Sequence, residues 1–561
     1  MKVRWGRVIL AILFLAVGCG VVAYLSLISG GLKLGGSGIE VNGPGQDNPP
    51  SNSGDQRSTA RPSSGSQAGS AQNPPQSGDL KPFRVLSLGY TPYMATLVHM
   101  DAGNYLEQLG YDLQLVDVYD ENVDLDEAGQ CAALKAGDYE ALATTLDATR
   151  KCGEGVVMAI PVGQSAGNDK IIVKQGVDTW NNVFEHAVAF TDASVSQYMA
   201  CFASHAANQP IRQAVPFGDA AEAVDAFINS GAEQNIQSVV AWEPEATRAL
   251  QTVPGSKVLL SSKNVRILWD VIEFSKGRVA ADRAPFAAFT KAYYQALQDL
   301  TRDPAVAVAR IAEWQEREGS AAGLVTTTAL EAFRADLDNE AFATLRDAQI
   351  LMEEQNTVLN RLDEAAFYWQ YCGVELPPVS NLASLMDPGF VTELAAADPG
   401  LRGQASEMPS GEAFQVSDFT DAAAVTDAQI QAAQVIFEQG VNIEFLANRT
   451  DFKDPAAAYE VLQNAVRFLR TCRDCVLQVQ GGAAYPGSRI CPSCSPTDSD
   501  ALAVSRGQQV YTELLRRFDV PEAQLRLMAQ PHAPQFAGSN DEQQLRQDRR
   551  TFLTGLQLGG R

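Results

Sequence analysis

The stretch from Val8 to Ser29 runs 22 residues without a charge, directly behind Lys2, Arg4 and Arg7. As a helix rising roughly 1.5 Å per residue, it is long enough to cross about 30 Å of hydrocarbon. The basic residues precede the span, and the positive-inside rule then leaves everything after it outside the cytoplasm. The pattern predicts a signal anchor over residues 1–29. It would hold the chain as a single pass in the cytoplasmic membrane, with its bulk outside the cytoplasm.

Two other fates stay open. One is a cleaved signal peptide. The other is lipidation at Cys19, since Leu15-Ala-Val-Gly-Cys19 resembles the lipobox of bacterial lipoproteins. Residues 30–80 follow, rich in Gly, Ser, Pro, Asn and Gln and almost without large apolar side chains. Such a segment cannot bury enough surface to offset its ordering entropy. A disordered linker is predicted, with a root-mean-square reach of roughly 40 Å.

The chain has 561 residues, and at roughly 150 per domain the length predicts two to four domains. With 43 basic and 67 acidic residues, its formal charge is −24. Such a surface repels phosphate backbones, so nucleic acid is excluded as a general partner. The four histidines, at 99, 186, 205 and 532, are far apart. HExxH metal motifs are therefore absent, as is the phosphate-binding loop GxxxxGK[ST]. No cofactor is implied.

Residues 81–400 alternate strand-like and helix-like stretches. Arg84–Leu88, Tyr111–Val118, Ile171–Lys174, Ala187–Phe190 and Val239–Trp242 read as strands, with helical segments between them. This order predicts an α/β region with largely parallel sheets. Ligands of such folds lie beyond the strand C-termini, near helix N-termini.

The same stretch resembles the periplasmic solute-binding proteins of ABC importers, in the nitrate, sulfonate, taurine and thiamine-precursor group. The resemblance rests on RVLSLGYTPYMATLVHMDAGNYLEQLGYDLQLV from Arg84, on Lys135-Ala-Gly-Asp-Tyr139 and on Ile171–Lys174. Val240-Ala-Trp-Glu-Pro244, Leu268-Trp-Asp-Val271 and Leu385–Val391 complete it. It implies a two-lobed periplasmic-binding-protein fold of type II that closes over a small polar solute and presents it to an ABC permease. The ligand contacts it implies are Thr91, Pro92 and Tyr93, then Thr144, Thr145 and Asp147. From the other lobe come Thr191, Ala193, Ser194, Trp242 and Glu243, with Asp270 near the return to the first lobe. Thr191 reads equally as a helix N-cap and Trp242 as packed core. Asp147 and Glu243 disfavour a bare anion and make a ligand with an amine or amide credible.

An enzyme is not predicted. Gly163-Gln-Ser165-Ala-Gly167 matches GxSxG, but a nucleophile elbow needs a helix after the serine. Here another strand follows, so the string reads as a Gly-rich turn near the hinge. Cys201 and His205 lie four apart, yet a cysteine in an exported chain is expected to be buried or disulfide-bonded.

Leu401–Phe414 is a Gly/Ser-containing break, and residues 401–424 read as a second linker. Residues 425–561 predict a small α+β domain in the order β-α-β-α-β. Its strands are Val441–Phe445, Cys475–Gln480 and Gln524–Met528; its helices are 454–470 and 500–518. The order resembles the OmpA-like, peptidoglycan-associated domain of bacterial envelopes. That resemblance implies contact with peptidoglycan or an envelope protein, with Arg506 as the clamp for a peptide-stem carboxylate. Ala484 stands where the family places an aspartate. An envelope scaffold or ligand sensor that works without transport is the alternative to a transport role.

Nine cysteines remain to be placed. Excluding Cys19, eight lie outside the membrane, an even number suited to disulfides. Cys131 with Cys152 and Cys201 with Cys372 are candidate pairs, although spacing does not fix connectivity. Cys472-x-x-Cys475 and Cys491-x-x-Cys494 have zinc-site spacing, and four-thiolate zinc is the alternative there. A central strand between the two pairs would hold them at opposite ends.

Overall fold

The computed structural model describes residues 80–561, except 88–90, 119–124, 208, 232–234, 319–336, 407–424, 442, 447–448, 473, 488, 491–494 and 559–561. The anchor at 8–29, the linker over 30–79, Cys19, Cys491 and Cys494 therefore lie outside the described residues. No described helix is long and apolar enough to cross a membrane. The described residues fall within one compact unit, Gln72–Arg561.

Fifteen strands are described: β1 Lys81–Ser87, β2 Tyr111–Asp117, β3 Ala141–Thr145, β4 Val156–Ser165, β5 Lys170–Val173, β6 Ala187–Thr191, β7 Gln213–Phe217, β8 Ile236–Ala241, β9 Lys257–Ser261, β10 Trp269–Ser275, β11 Glu340–Phe342, β12 Gln434–Val441, β13 Cys475–Gly481, β14 Leu525–Leu527 and β15 Thr551–Gln557. They form three sheets, ordered β11-β4-β10-β3-β1-β2, β7-β6-β8-β5-β9 and β12-β15-β13-β14.

The first two sheets are mixed rather than largely parallel. β1 is parallel to β2 and β3, while β10 is antiparallel to both β3 and β4. In the second sheet β6 is parallel to β7 and β8, while β5 is antiparallel to β8 and β9. The cause is the chain path. It leaves the first lobe at the end of β4 and returns at the start of β10, so the crossing strands run against their neighbours.

Each lobe has its own core. In the first, Phe83 of β1 stacks on Phe289 at 4.5 Å and meets Phe286 and Phe274 edge-on. In the second, the pleat sends successive residues to opposite faces. Ile171 and Val240 pair and enter the core under the helix Val195–Ala206; Ile172 and Val239 pair and enter the core under the helix Ala220–Asn229. Local capping starts these helices. The Ser194 hydroxyl accepts the Ser196 N–H at 3.1 Å, and the Asp219 carboxylate accepts the Glu222 N–H at 2.7 Å.

The helix Gln355–Tyr371 spans both cores, with Val358 and Leu362 in the first and Ala365, Tyr368 and Trp369 in the second. The Cys201–Cys372 disulfide fastens its end to the helix Val195–Ala206. A second disulfide joins Cys131 to Cys152, and a third joins Cys472 to Cys475. Cys472 and Cys475 therefore carry no free thiolates, which removes two of the four ligands that the zinc alternative required.

The third sheet packs the helices Pro455–Thr471 and Pro496–Arg517, and its core continues into that of the second lobe. Trp180 meets Phe468 edge-on at 6.3 Å, and the Arg467 guanidinium lies 4.2 Å over Phe367. The predicted strand Val441–Phe445 is displaced. β12 covers Gln434–Val441, while Ile443 and Phe445 are buried beyond it, Phe445 bridging to Phe452. Their alternation reports burial, but pairing with β15 decides where the strand lies. β13 and the helix Pro496–Arg517 touch through two glycines: a Cβ on Gly481 would lie 1.8 Å from the Ala503 carbonyl oxygen.

Candidate functional site

Two described crossovers join the lobes, Ser165–Lys170 and Ser261–Trp269, and they are bonded to each other. The Ser262 hydroxyl accepts the N–H groups of Gly167 at 3.0 Å and Asp169 at 3.2 Å, and it lies 2.7 Å from the Ser165 hydroxyl. The Ser165 hydroxyl donates to Asp169 at 2.6 Å. Ser165 is thus a hinge residue at the end of β4, with β5 rather than a helix after it and with serine and aspartate partners. Gly163 is needed for packing: a Cβ there would lie 2.7 Å from the Ala341 carbonyl oxygen of β11. The Cys201–His205 pair has no thiol, since Cys201 is in a disulfide. His205 is packed between Phe367, Tyr368 and Tyr371, and burial together with the Arg467 charge lowers its pKa to about 4.

Between the lobes lies a cavity of about 760 Å³, within the range of small-molecule sites. The first lobe contributes Tyr93, Thr144, Thr145, Asp147 and Asp270 to its wall; the second contributes Thr191, Ala193, Ser194 and Trp242. All but Asp270 come from the end of a strand or the segment and helix start that follow, and Asp270 comes from the beginning of β10, where the chain returns from the second lobe. Ser194, not Thr191, caps the helix, and its hydroxyl also donates to the Thr191 carbonyl at 2.7 Å. The Thr191 hydroxyl is left buried in the cavity wall without a hydrogen-bond partner.

Three sequence candidates, Pro92, Glu243 and Arg506, are placed elsewhere. Pro92 is buried in the first turn of the helix Thr91–Ala102, away from the cavity wall. Thr91 begins that helix, and its side chain is outside the described residues. Glu243 faces away: it pairs with Lys170 and accepts the Thr247 N–H at 3.0 Å, which anchors the start of the next helix. In the third sheet's domain, Arg506 is 1% exposed. Its guanidinium donates to the carbonyls of Arg449, Gly482 and Leu446 at 3.1, 3.3 and 3.3 Å. It holds loops together inside the domain, so in this conformation no external carboxylate reaches it. Burial, with Arg549 nearby, lowers its pKa to about 10.

The cavity also gathers residues that the strand pattern did not mark. Lys151, one turn after Asp147, crosses the gap to the Ala193 carbonyl at 2.5 Å and pairs with Glu127 at 2.5 Å. Its ammonium also lies 3.8 Å over the Trp369 ring. Asp169 enters from the first crossover, and Val374, Glu375 and Pro377 from the segment after the spanning helix.

Carboxylates dominate the electrostatics. Asp147 is 3% exposed, and burial raises its pKa despite Lys151 nearby. Neither of its oxygens accepts a hydrogen bond of normal geometry, although the Thr145 hydroxyl and Trp369 indole are close. Burial raises Asp169 to about 6, against the opposing effects of the Ser165 hydrogen bond and the Lys170 charge. Asp270 lies beside Glu340 of β11; burial and the Glu340 charge raise Asp270, while burial and the Asp169 charge raise Glu340 against the opposing hydrogen bond from Asp270. No group of three or more described His, Cys, Asp or Glu residues has metal-site geometry.

No family model matches the chain, and no curated protein matches it. Among solved structures, it is similar to the alkanesulfonate-binding protein SsuA from Xanthomonas axonopodis pv. citri bound to MOPS. That likeness has 14% identity and a TM-score of 0.42, covering 55% of this chain and 99% of that one. It is similar to the periplasmic aliphatic sulphonate binding protein SsuA from Escherichia coli, with 15% identity, a TM-score of 0.40, and coverage of 55% and 99%. It is also similar to the periplasmic nitrate-binding protein NrtA from Synechocystis PCC 6803, with 10% identity, a TM-score of 0.43, and coverage of 60% and 96%.

Proposed function

We propose that this chain is an extracytoplasmic solute-binding protein whose two lobes close over a small polar solute for an ABC-type importer. The observation that carries the reading is the cavity itself: about 760 Å³, walled from both lobes and hinged on two mutually bonded crossovers. Such an arrangement converts ligand contacts on two surfaces into a preference for the closed state. No side-chain constellation for covalent chemistry accompanies it among the described residues.

Residues 8–29 would anchor the chain in the cytoplasmic membrane, residues 30–80 would act as a spacer, and the third sheet's domain would tie the molecule to the envelope. The OmpA-like reading of that domain is supported by the element order, strand–helix–strand–helix–strand, completed by β15 between β12 and β13. With Arg506 internal and Ala484 in the loop, an envelope protein is a better-suited partner than a peptide-stem carboxylate.

One observation favours a sensing role as the second reading. The domain is bonded to the hinge: the Arg266 N–H donates to the Thr471 carbonyl at 2.6 Å, and Val265 bridges Cys472. Lobe closure would therefore be felt by the C-terminal domain.

The test is a thermal-shift screen of the full chain against sulfonates, nitrate, bicarbonate, amino acids, polyamines and pyrimidines. A ligand that binds only the native state stabilises it by about 2.7 kcal/mol at a hundredfold excess over Kd. A saturable shift that Trp242→Ala removes supports the receptor reading. A flat response from folded protein across the panel rejects it and favours the scaffold.

A further inference from the structure

We propose that the solute is a small organic cation carrying N–H donors, held between Asp147 and Asp270 of the first lobe and Thr191 of the second. This rests on the solute-binding reading above and names the chemistry of its ligand.

The argument is an inventory of what the cavity wall has already used and what it leaves open. Its two lysines are committed. Lys151 is engaged by Glu127, by the Ala193 carbonyl and by the Trp369 face, and Lys135 donates to the Cys152 carbonyl. Neither offers a free ammonium to an anion. Three acceptor side chains are in the opposite condition. Neither oxygen of Asp147 accepts a hydrogen bond of normal geometry, Asp270 has one oxygen whose neighbour is the carboxyl of Glu340, and the Thr191 hydroxyl has no partner. These residues are 3%, 2% and 3% exposed, so water does not compensate them freely. A buried polar group without a partner costs about 1–3 kcal/mol, and more if charged.

They lie on the wall of one cavity and come from both lobes. A donor-bearing cation placed among them would satisfy all three at once, and it would do so only when the lobes are together. A sulfonate or nitrate would instead place further negative charge beside Asp147, Asp169 and Asp270. Trp242 provides an aromatic wall on the second-lobe side, and ring faces attract ammonium and guanidinium groups. Burial raises the pKa of Asp147, Asp169 and Asp270, and a cation bound beside them would favour their charged forms.

The experiment is isothermal titration of the full chain with putrescine, agmatine and histamine, and separately with methanesulfonate and nitrate, alongside melting of each mixture. The expected result is saturable binding of at least one cation and of neither anion. Asp147→Asn should weaken the cation at least tenfold while the ligand-free protein melts no lower than wild type, because the substitution keeps the shape and removes the cost of burying a carboxyl group. Thr191→Val, on the other lobe, should also weaken it and serves as the check if the Asn variant misfolds. Binding of methanesulfonate or nitrate without any cation overturns the proposal and leaves the solute-binding reading intact. No binding of any of the five by folded protein counts against that reading, and the proposal falls with it.

Discussion

Glu273 sits in the middle of β10, fully buried, and neither of its oxygens accepts a hydrogen bond of normal geometry, although the Thr149 hydroxyl is close. Burial raises its pKa from 4.5 to about 8; Thr149 and Lys135 oppose the shift, while Glu127 and Asp147 reinforce it. The folded chain thus holds a proton there that the unfolded chain has released. A raised folded-state pKa makes the stabilisation complete below the unfolded value and progressively lost as pH rises toward the folded one. At pH 7 the gap from the unfolded value is about 2.5 units, and at about 1.36 kcal/mol per unit the loss is about 3 kcal/mol.

Glu273→Gln keeps the shape and removes the titration. It should therefore be more stable than wild type by about 3 kcal/mol near pH 7 and close to wild type near pH 4.5. In melting or urea unfolding of the full chain, the difference between the two proteins should grow steadily across that interval. Other titrating groups act on both proteins, and most of their contribution cancels in the difference. Glu273 is not on the cavity wall, so solute affinity should not change. A stability difference that stays constant with pH, or a Gln variant that is weaker at pH 7, would refute the reasoning.

Gly481→Ala should destabilise the C-terminal domain, by several kcal/mol in order of magnitude, because the new Cβ meets the Ala503 carbonyl backbone and not a movable side chain. Limited proteolysis should then release fragments from residues 425–561 first. Replacing both Cys201 and Cys372 by serine frees the spanning helix from the second lobe across a sequence separation of 171 residues. Loss of a native disulfide costs about 2–5 kcal/mol. The melting point of the double variant should fall under oxidising conditions and match wild type measured with reductant, apart from the effect of the other disulfides.

Much of the cavity was legible because strand ends are local events. Thr144, Thr145, Thr191 and Trp242 end or follow apolar runs short enough to read as strands, Asp270 opens one, and the fold brings those ends to one gap. The misplacements share another cause. Glu243 carried the right position in its motif, but Lys170, more than seventy residues earlier, turns it away from the cavity. Lys151 and Asp169 gave no pattern of their own, since one acts by reaching the opposite lobe and the other by lying on a hinge. Arg506 read as an exposed clamp because its three carbonyl partners come from loops that sequence order does not connect to it.

The sequence by itself determined the segments: an uncharged run, a polar linker, alternating strands and helices, and a final α+β stretch. These follow from hydrophobic period, capping and turn chemistry, which act over a few residues. Only the tertiary structure decided that the first two sheets are mixed, that the last domain shares its core with the second lobe, and that the cavity's lysines are engaged while Asp147 is left without a hydrogen bond of normal geometry. Those outcomes depend on which distant groups meet, and burial then sets the charge and the hydrogen bonding of each.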